Sequence, residues 1–143
     1  MGLDQYGMIR NKQIDFKKVY SDKYEPEKDG FVWRKHARLQ TFMAREFKKQ
    51  NPKEDTDAHS GNIDGLGFNG EEHKVVITKD ILKRLENAIK EKYYNHFATD
   101  GFFWGHQFQE EQVKAYKKQD LEFIKFCKNA LEKKEVIEYS CSW

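Results

Sequence analysis

The chain has few of the features that mark several common protein classes. Its 143 residues include only two cysteines and two prolines. No apolar run approaches the roughly 20 residues that a membrane-spanning helix needs, and the N-terminus lacks the basic and apolar regions of a secretory signal. Two cysteines do not make a disulfide framework, so we expect Cys127 and Cys141 to be buried free thiols. These absences predict a soluble protein of the cytoplasm.

The chain also lacks a strong net charge. Its 26 basic and 24 acidic residues leave a formal charge of +2, a field too weak to recruit nucleic acid or an anionic membrane. We therefore expect neither a membrane partner nor a specific nucleic-acid partner. Aliphatic residues are sparse, whereas aromatic residues make up 15% of the chain. Because each large ring buries about 150–250 Å², we expect one aromatic-rich core and a single domain over residues 1–143.

The spacing of apolar residues predicts the secondary structure. Alternation predicts strands at 1–10, 14–20, 31–33, 74–77, 101–105 and 136–143. A period near 3.6 predicts helices from about Trp33 to Pro52, from the N-cap Thr78 to Tyr93, and from about Gln109 to Lys133. The basic residues of the first of these helices, Arg38 among them, fall largely off its apolar stripe.

These elements together predict an α+β fold. We expect an antiparallel or mixed sheet of about four to five strands with about three helices packed on one face. Residues 51–73 are glycine-rich, acidic and poor in apolar side chains. They are predicted to form a long polar loop that interrupts the domain.

Two motifs within that loop look like ligand sites, but neither meets the requirements of the site it resembles. Residues 65–70 have the G-x-G-x-x-G spacing of a dinucleotide loop, yet they lead into a strand, whereas that motif opens a helix. Asp55, Asp57 and His59 look like the start of a calcium loop, but the twelfth position is Leu66, which cannot ligate. We expect no cofactor and no metal at either motif.

The five histidines lack the spacing of a metal cage. None is arranged as H-x-x-x-H or H-E-x-x-H, and no G-x-S-x-G nucleophile motif occurs. His106 and Glu110 lie one helical turn apart and could share an acid–base task or a metal. An exposed pair at that spacing is the commoner arrangement. The sequence therefore yields no catalytic residue and no metal ligand.

The densest cationic cluster is Trp33-Arg34-Lys35-His36, followed by Arg38. Arginine beside aromatic rings is suited to binding phosphates or stacked bases. The plainer interpretation is a solvated helix face next to a core tryptophan.

A second segment, Phe102-Phe103-Trp104, is bracketed by glycines and is typical of either a core strand or a pocket wall. A ligand site would join the two segments, because together they supply cations and flat apolar surfaces. Cations would come from Arg34, Lys35 and His106, and stacking surfaces from Trp33 and Trp104. The candidate ligand-binding residues are Asp4, Trp33, Arg34, Lys35, Trp104 and His106.

Five motifs occur in order along nearly the whole chain. They are Met1-Gly2-Leu3-Asp4, Trp33-Arg34-Lys35-His36 at a helix start, the strand-to-helix passage into Thr78, Asp100-Gly101-Phe102-Phe103-Trp104-Gly105, and the terminal Ser142-Trp143. In this order the chain resembles a set of small, mostly uncharacterised bacteriophage and bacterial proteins. The resemblance implies a phage or phage-derived protein acting in the host cytoplasm, and it brings no established activity with it.

The chain departs from those proteins at two places. They often carry an Asn and a His on the first helix, where Arg38 and Gln40 stand here. They also carry a Tyr-Asp after the Phe-rich turn, where Gln109 and Glu110 stand here. If those groups are a catalytic acid and base in the similar proteins, the resemblance implies that this chain lacks them. A binding pocket tolerates such exchanges better than proton transfer does.

These observations predict a non-enzymatic, phage-encoded accessory protein that binds a host protein or a small anionic ligand. Asp4 would supply a hydrogen-bond acceptor at the site. The alternative is a small hydrolase or transferase acting on a nucleotide or another phosphate ester, with His106 as the acid–base group and Arg34 clamping the phosphate. A third hypothesis is an assembly role as a homo-oligomer.

Overall fold

The computed structural model of the protein describes residues 3–53, 68, 70, 72–91 and 112–142. Its strands are β1 (Asp4–Ile9), β2 (Phe31–Arg34), β3 (Val75–Val76) and β4 (Ile137–Ser142). Its helices are α1 (Phe16–Val19), α2 (Pro26–Asp29), α3 (Ala37–Gln50), α4 (Lys79–Lys90) and α5 (Val113–Glu132). Within the described residues this is the predicted α+β fold, with three long helices and two helices of a single turn.

The four described strands form one antiparallel sheet in the order β2-β1-β4-β3. Successive side chains of a strand point to opposite faces of a sheet. In β4, Ile137, Tyr139 and Cys141 are completely buried, whereas Glu138 and Ser140 are only partly buried. The alternation predicted for this strand is confirmed. We call the face of Tyr139, which the long helices cover, the inner face, and the face of Glu138 the outer face.

The core between the inner face and the long helices is aromatic, as the composition predicts. The rings of Trp33 and Phe123 meet edge to face with centroids 5.0 Å apart, and Phe47 stacks on Phe68 at 4.5 Å. Gly7 lies on the inner face beside Phe123, where an added Cβ would come within 2.5 Å of the ring carbon Cε1. A glycine inside a strand commonly marks such a close approach. Its missing side chain makes room for the ring.

Helix α4 follows closely from its sequence. The Thr78 hydroxyl accepts a hydrogen bond from the Ile81 N–H at 3.2 Å, so Thr78 is the predicted N-cap. Asp80 adds a negative charge at the positive end of the helix dipole. The apolar stripe is buried, namely Ile81, Leu82, Leu85 and Ile89.

Two predictions in the N-terminal part of the chain are wrong. Residues 14–20, predicted as a strand, contain the one-turn helix α1, because the Asp15 carboxylate caps it by accepting from the Lys18 N–H at 3.3 Å. The helix predicted from Trp33 begins at Ala37 instead. Residues 31–34 pair with β1 along their whole length, so the ladder of hydrogen bonds takes them out of the helix.

Most of the predicted polar loop at 51–73 lies outside the described residues, and so does the predicted strand at 101–105. The G-x-G-x-x-G motif and the calcium-like motif fall almost entirely outside them as well. Phe68, which is described, is completely buried and stacks on Phe47. This position of the predicted loop therefore belongs to the core.

Side chains cap both edges of the sheet. Three outward carbonyls at β2 each accept a hydrogen bond: Gly30 from Tyr24, Val32 from Gln119 and Arg34 from Tyr116. At the other edge the Gln50 carboxamide bonds both the N–H and the carbonyl of Val76, at 3.0 and 2.7 Å. Unpaired strand edges recruit other chains. These contacts occupy three carbonyls at the β2 edge and both backbone groups of Val76 at the β3 edge.

Both cysteines are free and buried, as predicted. Burial raises the pKa of the Cys141 thiol to about 12, and it raises the pKa of the Cys127 thiol as well. Both thiols are therefore protonated at neutral pH. No helix in the described part of the chain is long and apolar enough to cross a membrane.

Candidate functional site

Residues 34–36, which we call the β2–α3 turn, carry two of the predicted site residues. Lys35 adopts φ +56°, in the left-handed region that costs a residue other than glycine about 1–2 kcal/mol. Its N–H donates to the carbonyl of Leu3 at 2.8 Å. A backbone in such a conformation persists only where the surrounding structure fixes it. Side chains of β1 and α5 fix this turn.

The side chain of Gln5 joins the turn to β1. Its Oε1 accepts from the His36 N–H at 2.9 Å, and its Nε2 donates to the His36 carbonyl at 3.0 Å. The same Nε2 lies 3.0 Å from the Tyr139 hydroxyl. Gln5 is completely buried. The Gln5 carboxamide on β1 therefore bonds both the N–H and the carbonyl of His36, as the backbone of an adjacent strand would.

Asp120 accepts hydrogen bonds from two side chains that flank the turn. His36 Nε2 lies 2.8 Å from Oδ2, and Trp33 Nε1 donates to Oδ1 at 3.0 Å. His36 is also the N-cap of α3, because its Nδ1 accepts from the Leu39 N–H at 3.5 Å. That bond places the ring proton on Nε2, the atom facing the carboxylate. Asp120 and His36 have no exposed surface, so this one carboxylate ties β2, the turn and α5 together.

Tyr116 lies four residues before Asp120 on α5, and its side chain contacts the β2–α3 turn. Its ring is parallel to the His36 ring, with centroids 4.0 Å apart. Its hydroxyl donates to the Arg34 carbonyl at 2.7 Å. Burial raises the pKa of Tyr116; the charge of Arg38 opposes this rise, and the charge of Asp120 adds to it. The hydroxyl is therefore a proton donor throughout the physiological pH range.

A second set of buried hydrogen bonds continues across the inner face. The Tyr139 hydroxyl donates to Gln40 Oε1 at 2.6 Å, and Gln40 Nε2 lies 3.3 Å from Cys141 Sγ. The Cys141 thiol in turn donates to the carbonyl of Phe68 at 3.3 Å. Burial also raises the pKa of Tyr139 well above its ordinary value. A thiol held in its protonated form by burial is a poor nucleophile, so Cys141 is a structural group.

The side chains of the buried polar network form hydrogen bonds with one another and with the backbone, and these bonds stabilise the fold. Both ring nitrogens of His36 already have partners, Asp120 at Nε2 and the Leu39 N–H at Nδ1. A general base needs a lone pair that can reach the substrate. Across the described residues, no group of three or more His, Cys, Asp and Glu side chains could hold a metal ion. The chemistry open to a ligand therefore lies at the surface of the turn.

That surface is cationic. Arg34 Nε lies 3.2 Å from Asp4 Oδ1, with 62% of the Arg34 side chain exposed, and Lys35 is partly exposed beside it. Helix α3 begins directly after the turn and has no acidic residue in its first turn. The positive end of the helix dipole therefore adds to the two cations. Such an arrangement suits a phosphate or a carboxylate group.

The structure brings three of the six predicted site residues together, namely Asp4, Arg34 and Lys35. Trp104 and His106 lie outside the described residues. Trp33 does not share the surface of the turn: it is 1% exposed and lies on the inner face. Alternation along β2 sends its side chain to the face opposite that of Arg34. Its ring packs against Phe123, so the stacking role predicted for Trp33 is replaced by a core role.

The predicted solvated helix face is wrong at two positions. His36 has no exposed surface, and Arg38 is 1% exposed. The densest cationic cluster of the sequence is thus divided between the surface and the interior. The plainer interpretation of Trp33, a core tryptophan, is confirmed.

Sequence reasoning missed Gln5 and Asp120, the two groups that fix the turn. Asp120 carries a readable signal, because it lies in the buried stripe of α5 at helical spacing from Tyr116, Phe123 and Cys127. A carboxylate inside an apolar stripe needs a buried donor. The sequence does not show which donors it meets, since Trp33 and His36 are more than 80 residues away.

Comparisons of the chain with protein-family models, with curated proteins and with solved structures find no match. The candidate site therefore rests on its own geometry.

Proposed function

We propose that this is a non-enzymatic accessory protein that binds an anionic group at the β2–α3 turn. The group is a phosphate or carboxylate carried by a small ligand or by a host protein. The observation that carries the proposal is the fixed turn: Arg34 and Lys35 project from a strained backbone that buried side chains hold in place. Because the turn is ordered before binding, little backbone entropy is lost when an anion arrives.

Binding accounts for the chemistry of the described residues better than hydrolysis or group transfer does. The buried side chains that hold the turn include a histidine with both ring nitrogens hydrogen-bonded and a tyrosine whose pKa burial raises. Both side chains are buried and their polar atoms are occupied by contacts within the fold, so neither presents an acid or base to a substrate. His106, the acid–base group of the alternative hypothesis, lies outside the described residues. The bacteriophage origin implied by the resemblance stays a prediction, and with it the host as the source of the partner.

The proposal is tested by titrating the protein with inorganic phosphate, pyrophosphate and a short poly-glutamate peptide while recording amide NMR spectra. We expect the largest shifts at Arg34, Lys35 and the first turn of α3. Arg34→Ala and Lys35→Ala should each weaken binding of the preferred probe about tenfold, which corresponds to about 1.4 kcal/mol. Lys125→Ala removes one exposed cation from α5 and should leave the affinity within twofold. The pyrophosphate and peptide titrations distinguish a phosphate from a carboxylate.

Asp4 provides a sharper test, because its carboxylate competes with any anion for Arg34. Asp4→Asn removes that competitor and should tighten anion binding several-fold, with the gain shrinking at high salt. If Asp4 instead accepts a hydrogen bond from the ligand, the same variant weakens binding. Failure of all three probes to bind at millimolar concentration would overturn the proposal.

A further inference from the structure

A groove of about 450 Å³ lies on the outer face of the sheet, under the segment that joins β1 to α1. Its lining includes Tyr6, Glu138 and Ser140 from the outer face of the sheet, and Lys12 and Phe16 from the chain that follows β1. Its volume falls near the lower end of the range for small-molecule sites, about 300–1,000 Å³. The groove is on the face opposite the buried polar network. None of the described residues that line it belongs to the β2–α3 turn.

One side of the groove is aromatic. The rings of Tyr6 and Phe16 meet edge to face, with centroids 5.9 Å apart and an interplanar angle of 88°. Phe16 is 46% exposed, and the helix that carries it, α1, has no buried residue. Two perpendicular rings at an open groove form a corner into which a flat ring can insert, stacking on one ring and touching the edge of the other.

Cations surround Glu138, the one carboxylate among the described residues that line the groove. Arg10 and Lys74 flank Glu138, with Nη2 3.2 Å from Oε2 and Nζ 3.7 Å from Oε1. These two cations neutralise that carboxylate. Lys12 adds a third cation, and no ion pair among the described residues holds its ammonium group. The groove therefore carries a positive excess that complements an anionic ligand.

The polar side chains of the lining narrow the class of that ligand. The Glu138 carboxylate accepts hydrogen bonds, and the Ser140 hydroxyl both donates and accepts them. Such groups match the amino and hydroxyl groups of a nucleoside, while the lysines match a phosphate. A groove of about 450 Å³ accommodates one ring system and one phosphate. The groove therefore suits a small molecule that combines a flat ring, hydrogen-bond donors and a negative charge.

We propose that this groove binds a nucleoside monophosphate. The base lies in the corner of Tyr6 and Phe16, and the phosphate lies between Lys12 and Lys74. Glu138 and Ser140 accept hydrogen bonds from the base edge or the ribose. The site is thus a nucleotide-binding site on the outer face, separate from the anion site at the β2–α3 turn.

Calorimetric titration of the whole protein with adenosine monophosphate tests this, with adenosine and inorganic phosphate as partial ligands. We expect the monophosphate to bind at least tenfold more tightly than either part. Lys12→Ala and Phe16→Ala should each weaken it about tenfold, since stacking on one ring is worth about 1–3 kcal/mol. Phe16 and Lys12 lie at the surface, so neither variant should unfold the protein, and thermal melting checks this.

Two matched controls separate the groove from the rest of the surface. Tyr20→Ala removes an aromatic side chain that is 72% exposed and does not line the groove, and it should leave the affinity within twofold. Arg34→Ala should also leave it within twofold, whereas it should weaken anion binding at the β2–α3 turn about tenfold. An affinity lost with Arg34→Ala and kept with Lys12→Ala would place the nucleotide at the turn and overturn this proposal. So would a failure of the monophosphate to bind at millimolar concentration.

A short oligo-deoxyadenylate completes the test. If it binds more tightly than the monophosphate in proportion to its length, the outer face tracks a nucleic-acid strand and the single-nucleotide site is wrong. If it binds no more tightly than the monophosphate, the groove is confirmed as a site for one nucleotide.

Discussion

The inner and outer faces of the sheet treat polar side chains in opposite ways. On the inner face, Gln5 and Tyr139 have no exposed surface and bond to one another, and Gln5 also bonds to the β2–α3 turn. On the outer face, Glu138 is 15% exposed and its partners Arg10 and Lys74 are about half exposed. Both faces belong to the same strands, so the difference comes from what covers them.

This difference shows which polar groups can meet a ligand. A buried polar group left without a partner loses its hydration and gains nothing, so the inner face holds its polar atoms in closed networks. A partly exposed ion pair can exchange one partner for another at small cost, because water replaces what is lost. Acidic side chains at three depths test this contrast: Asp120 in the interior, Glu46 between two helices and Glu138 on the outer face.

Removing the Asp120 carboxylate should have the largest effect. Asp120→Ala leaves the N–H groups of Trp33 and His36 buried without an acceptor, and it should cost about 3–5 kcal/mol in free energy of unfolding. Denaturant unfolding followed by tryptophan fluorescence measures this. Glu122→Gln, which changes an exposed acid on the same helix, should change the stability by less than about 0.5 kcal/mol. A cost of under 1 kcal/mol for Asp120→Ala would mean that the network does not hold the inner face together.

Glu46 should show an intermediate effect that depends on pH. Burial by itself would raise the pKa of Glu46, but the paired hydrogen bonds and charge of Arg84, at 2.8 and 2.7 Å, together with Lys49, hold the pKa below its ordinary value. Folding therefore gains stability from this carboxylate above the unfolded value of 4.5, and loses it as the pH falls through the lower folded value. Because Arg84 is 45% exposed, we expect a loss of only about 1–2 kcal/mol.

Melting temperatures measured from pH 7 to pH 3 check this pH dependence. Glu46→Gln should lower the stability at pH 7 and flatten the acid limb of the curve. Glu91→Gln, at an exposed position just after α4, should leave the curve unchanged. An acid limb of the same steepness in Glu46→Gln would show that the ion pair to Arg84 does not contribute.

Glu138→Gln should have the smallest effect on stability. Its two ion pairs lie at the surface, so the variant should cost less than about 1 kcal/mol, and the cost should vanish in about 1 M salt. Thermal melts at low and high salt measure both quantities. A cost above 2 kcal/mol that persists at high salt would show that the outer face is as tightly coupled as the inner one, and the contrast between the faces would fail.

The parts of the fold that the sequence predicted correctly are those that local pattern controls. The strand that ends the chain alternates strictly, and the helix after Thr78 has both a cap and an apolar stripe. The errors occur where two patterns compete. Apolar and polar residues alternate only weakly over 14–20, and the Asp15 cap stabilises a helical turn there instead of a strand. Trp33 fits a helical stripe, yet pairing with β1 places it in a strand.

The candidate site was predicted only in part for the same reason. Arg34, Lys35 and Asp4 were found because charge is visible in the sequence, and strand pairing does bring Asp4 to Arg34. The left-handed turn at Lys35 was not predicted, because a lysine gives no local reason for a positive φ. The partners that impose it, Gln5 and Asp120, come from elements far away along the chain.

The sequence by itself determined the fold class, the aromatic core, the free thiols and the start of its best-patterned helix at the Thr78 cap. Each of these depends on composition or on a short period along the chain, and short-range spacing is what a sequence displays directly. Only the tertiary structure decided that Asp120 would meet Trp33 and His36, and that a cationic cluster would be divided between interior and surface. Those outcomes depend on the burial of polar groups by distant elements, where a buried charge must find its partner wherever packing places one.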